Sequence, residues 1–256
     1  RRTPLAHLLI RRFTTFLIPV LNLLCVSTMA SSLPAFTIHR AEADVAVKID
    51  GNLNEAIWTE RLNRGHDMVV IEPDTLAEPS RETETYFFYT DDGLYVGVVN
   101  HQKPETLLAR LSSRDKFIKR DGVSLTLDPS GEGLYGYWFS VNLGGTLQDG
   151  TVIPERQFSN QWDGAWYGAA AETETGWTAE MFIPWSIMTM PEIETSNRKM
   201  GYYLSRLVAE RGERWAYPGL PRTKSTFMSS LQPIEFQNVT PKKQLTFYPY
   251  ASSGYD

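Results

Sequence analysis

Cysteine is nearly absent: Cys25 is the single one in 256 residues, and it lies in an apolar run near the start of the chain. A disulfide framework is therefore excluded, and the fold must be held by its core alone, which 42% hydrophobic residues suffice to build. Histidine is scarce as well. His7, His39, His66 and His101 fall in no metal-ligand spacing, and no serine sits in a nucleophile elbow, so transition-metal and triad chemistry find no support. Acidic side chains are missing from residues 1–30, where Arg1, Arg2, Arg11 and Arg12 precede the apolar run "FTTFLIPVLNLLCV" and Thr28 and Ala30 suit an A-x-A-like cleavage site. This is the pattern of a secretory signal peptide over 1–30; Pro19 and Asn22 interrupt the run and disfavour an uncleaved anchor. An exported chain without thiols points to a bacterial envelope, periplasm or outer membrane. Four of the 25 basic residues and none of the 30 acidic ones lie in that leader, so beyond it the net charge deepens from −5 to −9, which argues against nucleic acid as a partner.

Helical periodicity is also lacking. Apolar residues alternate instead: Val45, Val47, Ile49; Val123, Leu125, Leu127; Tyr135, Tyr137, Phe139, Val141; Trp177, Ala179, Met181, Ile183. Turn signals separate these runs, "DDG" at 91–93, "DPSGEG" at 128–133, "NLGG" at 142–145 and "ETG" at 174–176. The pattern predicts an all-β protein, an antiparallel two-sheet β-sandwich of immunoglobulin or jelly-roll type over 31–215. Short helical turns are expected at 53–59, with Asn52 as a cap, and at 185–188. From Gly212 the sequence turns rich in Pro, Ser and Lys and reads as an exit, with 216–243 as a linker. The last residues, 244–256, alternate again through Leu245, Phe247, Tyr248 and Tyr250, as an added sandwich strand or the first strand of an outer-membrane β-barrel.

The stretch "KIDGNLNEAIWTE" at 48–60 packs a turn, three acids and Trp58 into thirteen residues. Folding explains most of it: Asp50-Gly51 reverses the chain, and Leu53, Ile57 and Trp58 present apolar surface to the sandwich. The same stretch opens a resemblance. "IDGNLNEAIW", then "DDGLYVGVVN" at 91–100, "RDGVSLTLDP" at 120–129, "FSVNLGGTLQDG" at 139–150, "WDGAW" at 162–166 and "GWTAEMFIPW" at 176–185 resemble, in order, the family 9 carbohydrate-binding modules. Asn54 departs from the usual Asp of that opening. The tail is similar to the junction at which such modules join a large outer-membrane barrel. The resemblance implies a DOMON-like sandwich, carbohydrate as ligand, and the chain's own C-terminal barrel as partner.

Sugars are held by flat aromatic faces with planar polar side chains beside them. In "NQWDGAWYG" at 160–168, Trp162 and Trp166 flank Asp163 in a loop with glycine; Trp162 is expected to be exposed, while Trp166 suits either a platform or the core. In "SSRDKFIKRD" at 112–121, Arg114, Asp115 and Asp121 concentrate hydrogen-bonding charge, and the resemblance places these positions and Trp162 near the sugar-facing end. Asn142 completes the candidate set, although with Asp149 it also brackets a hairpin, as a turn former does. No cofactor is expected; calcium is left open by the acidic loops at Glu72–Asp74 and Thr90–Asp92. Noncatalytic carbohydrate binding is the leading expectation. A plug or protein-interaction domain, with both tryptophans buried against the barrel, comes second. A glycoside hydrolase of carbohydrate catabolism, working through Asp121 and Asp163, comes third.

Overall fold

A computed structural model describes residues 34–42, 45–60, 63–195 and 197–240; the expected signal peptide and the expected barrel strand at 244–256 lie outside the described residues. The strands are β1 (Phe36–Thr37), β2 (Val69–Glu72), β3 (Thr83–Tyr89), β4 (Gly93–His101), β5 (Gly122–Asp128), β6 (Gly136–Asn142), β7 (Leu147–Ile153), β8 (Gln157–Ser159), β9 (Tyr167–Thr173), β10 (Gly176–Pro184), β11 (Asn197–Val208), β12 (Glu213–Tyr217) and β13 (Gln232–Gln237). Among the described residues, helix is limited to α1 (Ala56–Thr59) and three short 3-10 turns. The larger sheet runs β1-β13-β11-β5-β6-β7-β8, with β12 also on β11 and β2 beyond it; the smaller runs β3-β4-β10-β9. Only β1 with β13 is parallel among these pairings. The architecture is the expected two-sheet β-sandwich.

Alternation in the sequence sets which side chains fill the space between the sheets. Val123, Leu125 and Leu127 of β5 and Tyr137, Phe139 and Val141 of β6 meet Trp177, Ala179, Met181 and Ile183 of β10, all at most 7% exposed. The reversals fall where the turn signals stand. At the β5–β6 turn, Asp128 accepts from the Ser130 amide (2.9 Å) and the Gly133 amide (2.6 Å), so one carboxylate ties the whole "DPSGEG" loop.

Two expectations about strands and boundaries fail. Residues 45–49 form no ladder; they lie as an extended cover, with Val45 and Val47 packed on the cluster of Trp58, Tyr86 and Phe88. Nor does the sandwich end at 215. The segment read as a linker contains β13, paired with both β1 and β11, and Leu220, Phe227, Met228 and Leu231 pack beside Tyr203 and Val152. Proline and serine there mark turns between packed pieces, not an exit.

These covers treat the two outer faces differently. On the small sheet, Glu180 of β10 accepts from the Asp50 amide (3.1 Å), the Gly51 amide (3.2 Å) and the Trp58 indole (3.0 Å), which holds the 48–60 stretch flat on the strands. A Cβ at Gly97 would come within 3.0 Å of Leu53 and Trp58, so the glycine lets this layer settle. Asn52 bonds Asp50 and does not cap α1, whose N-cap is Glu55. Among the described residues, the outer face of the large sheet has no such layer across its centre.

Candidate functional site

Register fixes what that open face displays. If Val123, Leu125 and Leu127 point inward, then Gly122, Ser124 and Thr126 point outward, paired with Asn142, Ser140 and Trp138 of β6 and with Leu207, Ser205 and Tyr203 of β11. Gln148 of β7 stands opposite Ser140, and Arg214 of β12 opposite Leu207. A floor of hydroxyl, amide and aromatic groups results. Three segments raise walls around it: Phe117 and Arg120 from the loop before β5, Arg156 and Phe158 from the β7–β8 hairpin, and Arg222 and Phe227 from the segment before β13. The groove so formed measures about 580 Å³, within the usual range for a ligand site.

Aromatic groups occupy two levels. Phe117 and Phe158 stand at the rim, 69% and 51% exposed, whereas Trp138 lies 6% exposed in the floor, 6.1 Å from the Phe117 ring. The Trp138 indole donates to the Ser159 carbonyl (3.1 Å), which fixes its ring. Burial pushes the Tyr203 hydroxyl up to about 12, so it stays protonated. Arg120 donates to the carbonyls of Arg110 and Lys116 (both 3.0 Å) and to Ser112 Oγ (2.7 Å). Arg156 donates to the carbonyls of Leu220 (3.0 Å) and Pro221 (2.7 Å) and lies 4.6 Å over the Phe227 ring. Desolvation lowers the pKa of both guanidinium groups. Gln148 Nε2 and Arg156 Nε are buried without a hydrogen-bond partner among the described residues.

The residues singled out in the sequence separate. Arg114, Asp115, Asp163 and Trp162 do come together, at the sandwich edge where the chain crosses from β8 to β9. Arg114 reaches Asp163 (2.7 Å), Asp149 (2.8 Å) and the Gly164 carbonyl (3.2 Å); Asp115 accepts from the Asp149 amide (3.1 Å), and Asp149 from the Gly164 amide (2.7 Å). Burial raises the Asp149 pKa, while the Gly164 amide and Arg114 oppose the rise. The network staples the crossing loop. Trp162, expected to stand free, is half-buried against Tyr137 (4.8 Å) and Phe139 (6.0 Å). Trp166 is core, 4% exposed and 5.3 Å from Phe139.

Asp121 is not a surface group either. It is fully buried and accepts from the amides of Leu108 (2.7 Å) and Ala209 (2.8 Å) and from Gln102 (3.2 Å). Asp163, by contrast, is 73% exposed and paired with Arg114, so the two acids share no cleft of the kind a hydrolase requires. Asn142 bonds across its hairpin to the Thr146 carbonyl, the turn-forming role, while its side of β6 also lines one end of the groove. Of the loops considered for calcium, Glu72 is taken by Arg214 and Arg222, Asp74 by Thr223 and Asp91 by Arg40.

Sequence reasoning missed Trp138, Gln148, Arg156, Phe117 and Phe158. One signal was present: polar Ser124, Thr126, Ser140 and Gln148 on the faces opposite the core positions, beside Trp138 and Tyr203. The groove and the sandwich around it define a two-sheet β-sandwich that, among the described residues, carries a groove on the outer face of its larger sheet.

More particularly, the fold is that of the family 9 carbohydrate-binding modules. A family 9 module from Caldicellulosiruptor kristjanssonii solved with cellotriose superposes with a TM-score of 0.54 at 12% identity over 84% of this chain and 100% of that one. The same kind of module with glucose gives 0.51 at 13% identity over 83% and 99%. A Bacteroides uniformis protein classed as carbohydrate-binding gives 0.57 at 13% identity over 80% and 100%. No protein-family model matches the sequence, and no curated protein does.

Proposed function

We propose that the chain is a noncatalytic carbohydrate-binding module of an exported envelope protein, and that its ligand lies in the groove on the outer face of the large sheet. The observation that carries the reading is the combination in that groove: two exposed aromatic rims, Phe117 and Phe158, over a floor of Ser124, Thr126, Ser140 and Gln148. Aromatic faces cover the C–H surface of a sugar ring, and the short polar side chains read its hydroxyls. Likeness of fold to modules solved with cellotriose and glucose supports the same ligand class. The leader-like residues 1–30 and the alternating tail support export and attachment to an outer-membrane barrel.

Calorimetric titration of the chain with a panel of neutral and charged oligosaccharides tests the reading. Binding of at least one saccharide is expected, without cleavage. Phe117→Ala and Phe158→Ala should each cost more than about 1 kcal/mol of affinity, with melting temperature nearly unchanged because both rings are exposed. A panel without binding, or variants that bind as the parent does, would remove the groove from the account.

A further inference from the structure

The walls of the groove are unevenly charged. Arg120, Arg156, Arg214 and Arg222 line it against a single carboxylate, Glu72, in a chain whose net charge is −5. Glu72 meets Arg214 (3.4 Å) and Arg222 (2.7 Å). Arg120 and Arg156, among the described residues, form no ion pair; their bonds run to carbonyls and hydroxyls, which satisfy hydrogens but do not neutralise charge. The adjacent Glu155 accepts from the Phe227 amide and Ser229, and together with Glu72 it acts on Arg156 through space without a direct ion pair. Concentrating cations in an otherwise acidic protein opposes the self-repulsion that disperses them, and it focuses positive potential where solvent access is restricted.

A second observation points the same way. Among the described residues, the two polar atoms buried in this groove without a partner are both donors, Arg156 Nε and the side-chain amide of Gln148, which is 7% exposed. Buried donors without acceptors are costly until an acceptor arrives. An oxyanion supplies several acceptor sites at once, and a guanidinium matches its geometry. The groove, at about 580 Å³, is far larger than one small inorganic anion, and Phe117 and Phe158 add apolar faces that such an ion would not use.

Resting on the carbohydrate reading above, we propose that the ligand is an anionic saccharide, a sugar chain whose carboxylate or sulfate groups face Arg156 and Gln148. The test titrates the full chain with oligogalacturonate, with its methyl ester, which has the same sugar without the charge, and with a sulfated oligosaccharide. A single-stranded oligonucleotide serves as a polyanion with stacking bases. At least one acidic saccharide should bind tenfold or more tighter than the neutral ester, and the difference should shrink as salt is raised. Arg156→Gln should abolish most of that preference. Arg222→Gln, at a side chain 81% exposed and safe for folding, should reduce it severalfold. Equal affinity for acid and ester would overturn the anionic assignment while leaving carbohydrate binding in place. Binding of the oligonucleotide as tightly as the acidic sugar would overturn it in favour of general polyanion attraction. If no saccharide bound, charged or neutral, both readings would fall together.

Discussion

A Cβ added at Gly164 would lie 2.3 Å from the Trp162 ring, so the glycine is what lets that indole fold back onto Tyr137 and Phe139. Gly164→Ala should therefore push the ring outward at a cost of about 1–3 kcal/mol of stability, as overpacking does. Trp162→Ala should cost about 2–3 kcal/mol, less than a fully buried tryptophan because the ring is only half-covered. Urea unfolding measures both, and neither change should alter saccharide affinity; a loss of binding with stability intact would return Trp162 to the ligand site. At this scale the sequence was a poor guide to the site. A tryptophan beside Asp163 and Gly164 has the composition of an exposed loop, and nothing in the composition reveals that Arg114 staples the loop down across fifty residues of chain. Asp121 misled for the same reason: the amides that bury its carboxylate come from Leu108 and Ala209, which are distant in sequence.

Elements were far more legible. The inward positions of β5, β6 and β10 follow the alternation read from the sequence, because a half-buried strand leaves a period of two in its side chains. Residues 45–49 carry the same period and make no strand, since Val45 and Val47 pack against Trp58 and its neighbours without a ladder partner. The linker expected over 216–243 contains β13 instead, because proline and serine occur equally in linkers and in tight turns between packed strands. What binds the 48–60 cover to the sheet is Glu180, whose carboxyl burial pushes up from 4.5 to about 7 despite its three donors. The sign follows from linkage. Between those values the folded chain holds a proton that the unfolded chain has lost, so this group's contribution is complete below 4.5 and lost as pH rises through about 7. The change is on the order of 3 kcal/mol. Glu180→Gln, neutral at every pH, should flatten that part of the stability curve; identical slopes for parent and variant between pH 5 and 8 would remove Glu180 as its source.

For the whole molecule, the decisive asymmetry among the described residues is that one outer face is covered and the other is open. The 48–60 stretch seals the small sheet through Glu180 and Trp58. The large sheet keeps Trp138, Gln148 and Tyr203 at the base of a groove walled by loops from both sides. The fold class could be read from alternation and turns, and the resemblance in the ordered motifs matches the fold found. The groove could not be read, because it is assembled from outward positions on five strands and walls from three separate segments. The most direct measurement is a nitrogen-edited NMR titration with a bound saccharide, in which the seven tryptophans give distinct indole signals. The account predicts that the Trp138 indole and the Gln148 side-chain amide shift, with Trp162 and Trp166 unmoved. Shifts at Trp162, with Trp138 and Gln148 unchanged, would contradict it and place the ligand at the sandwich edge.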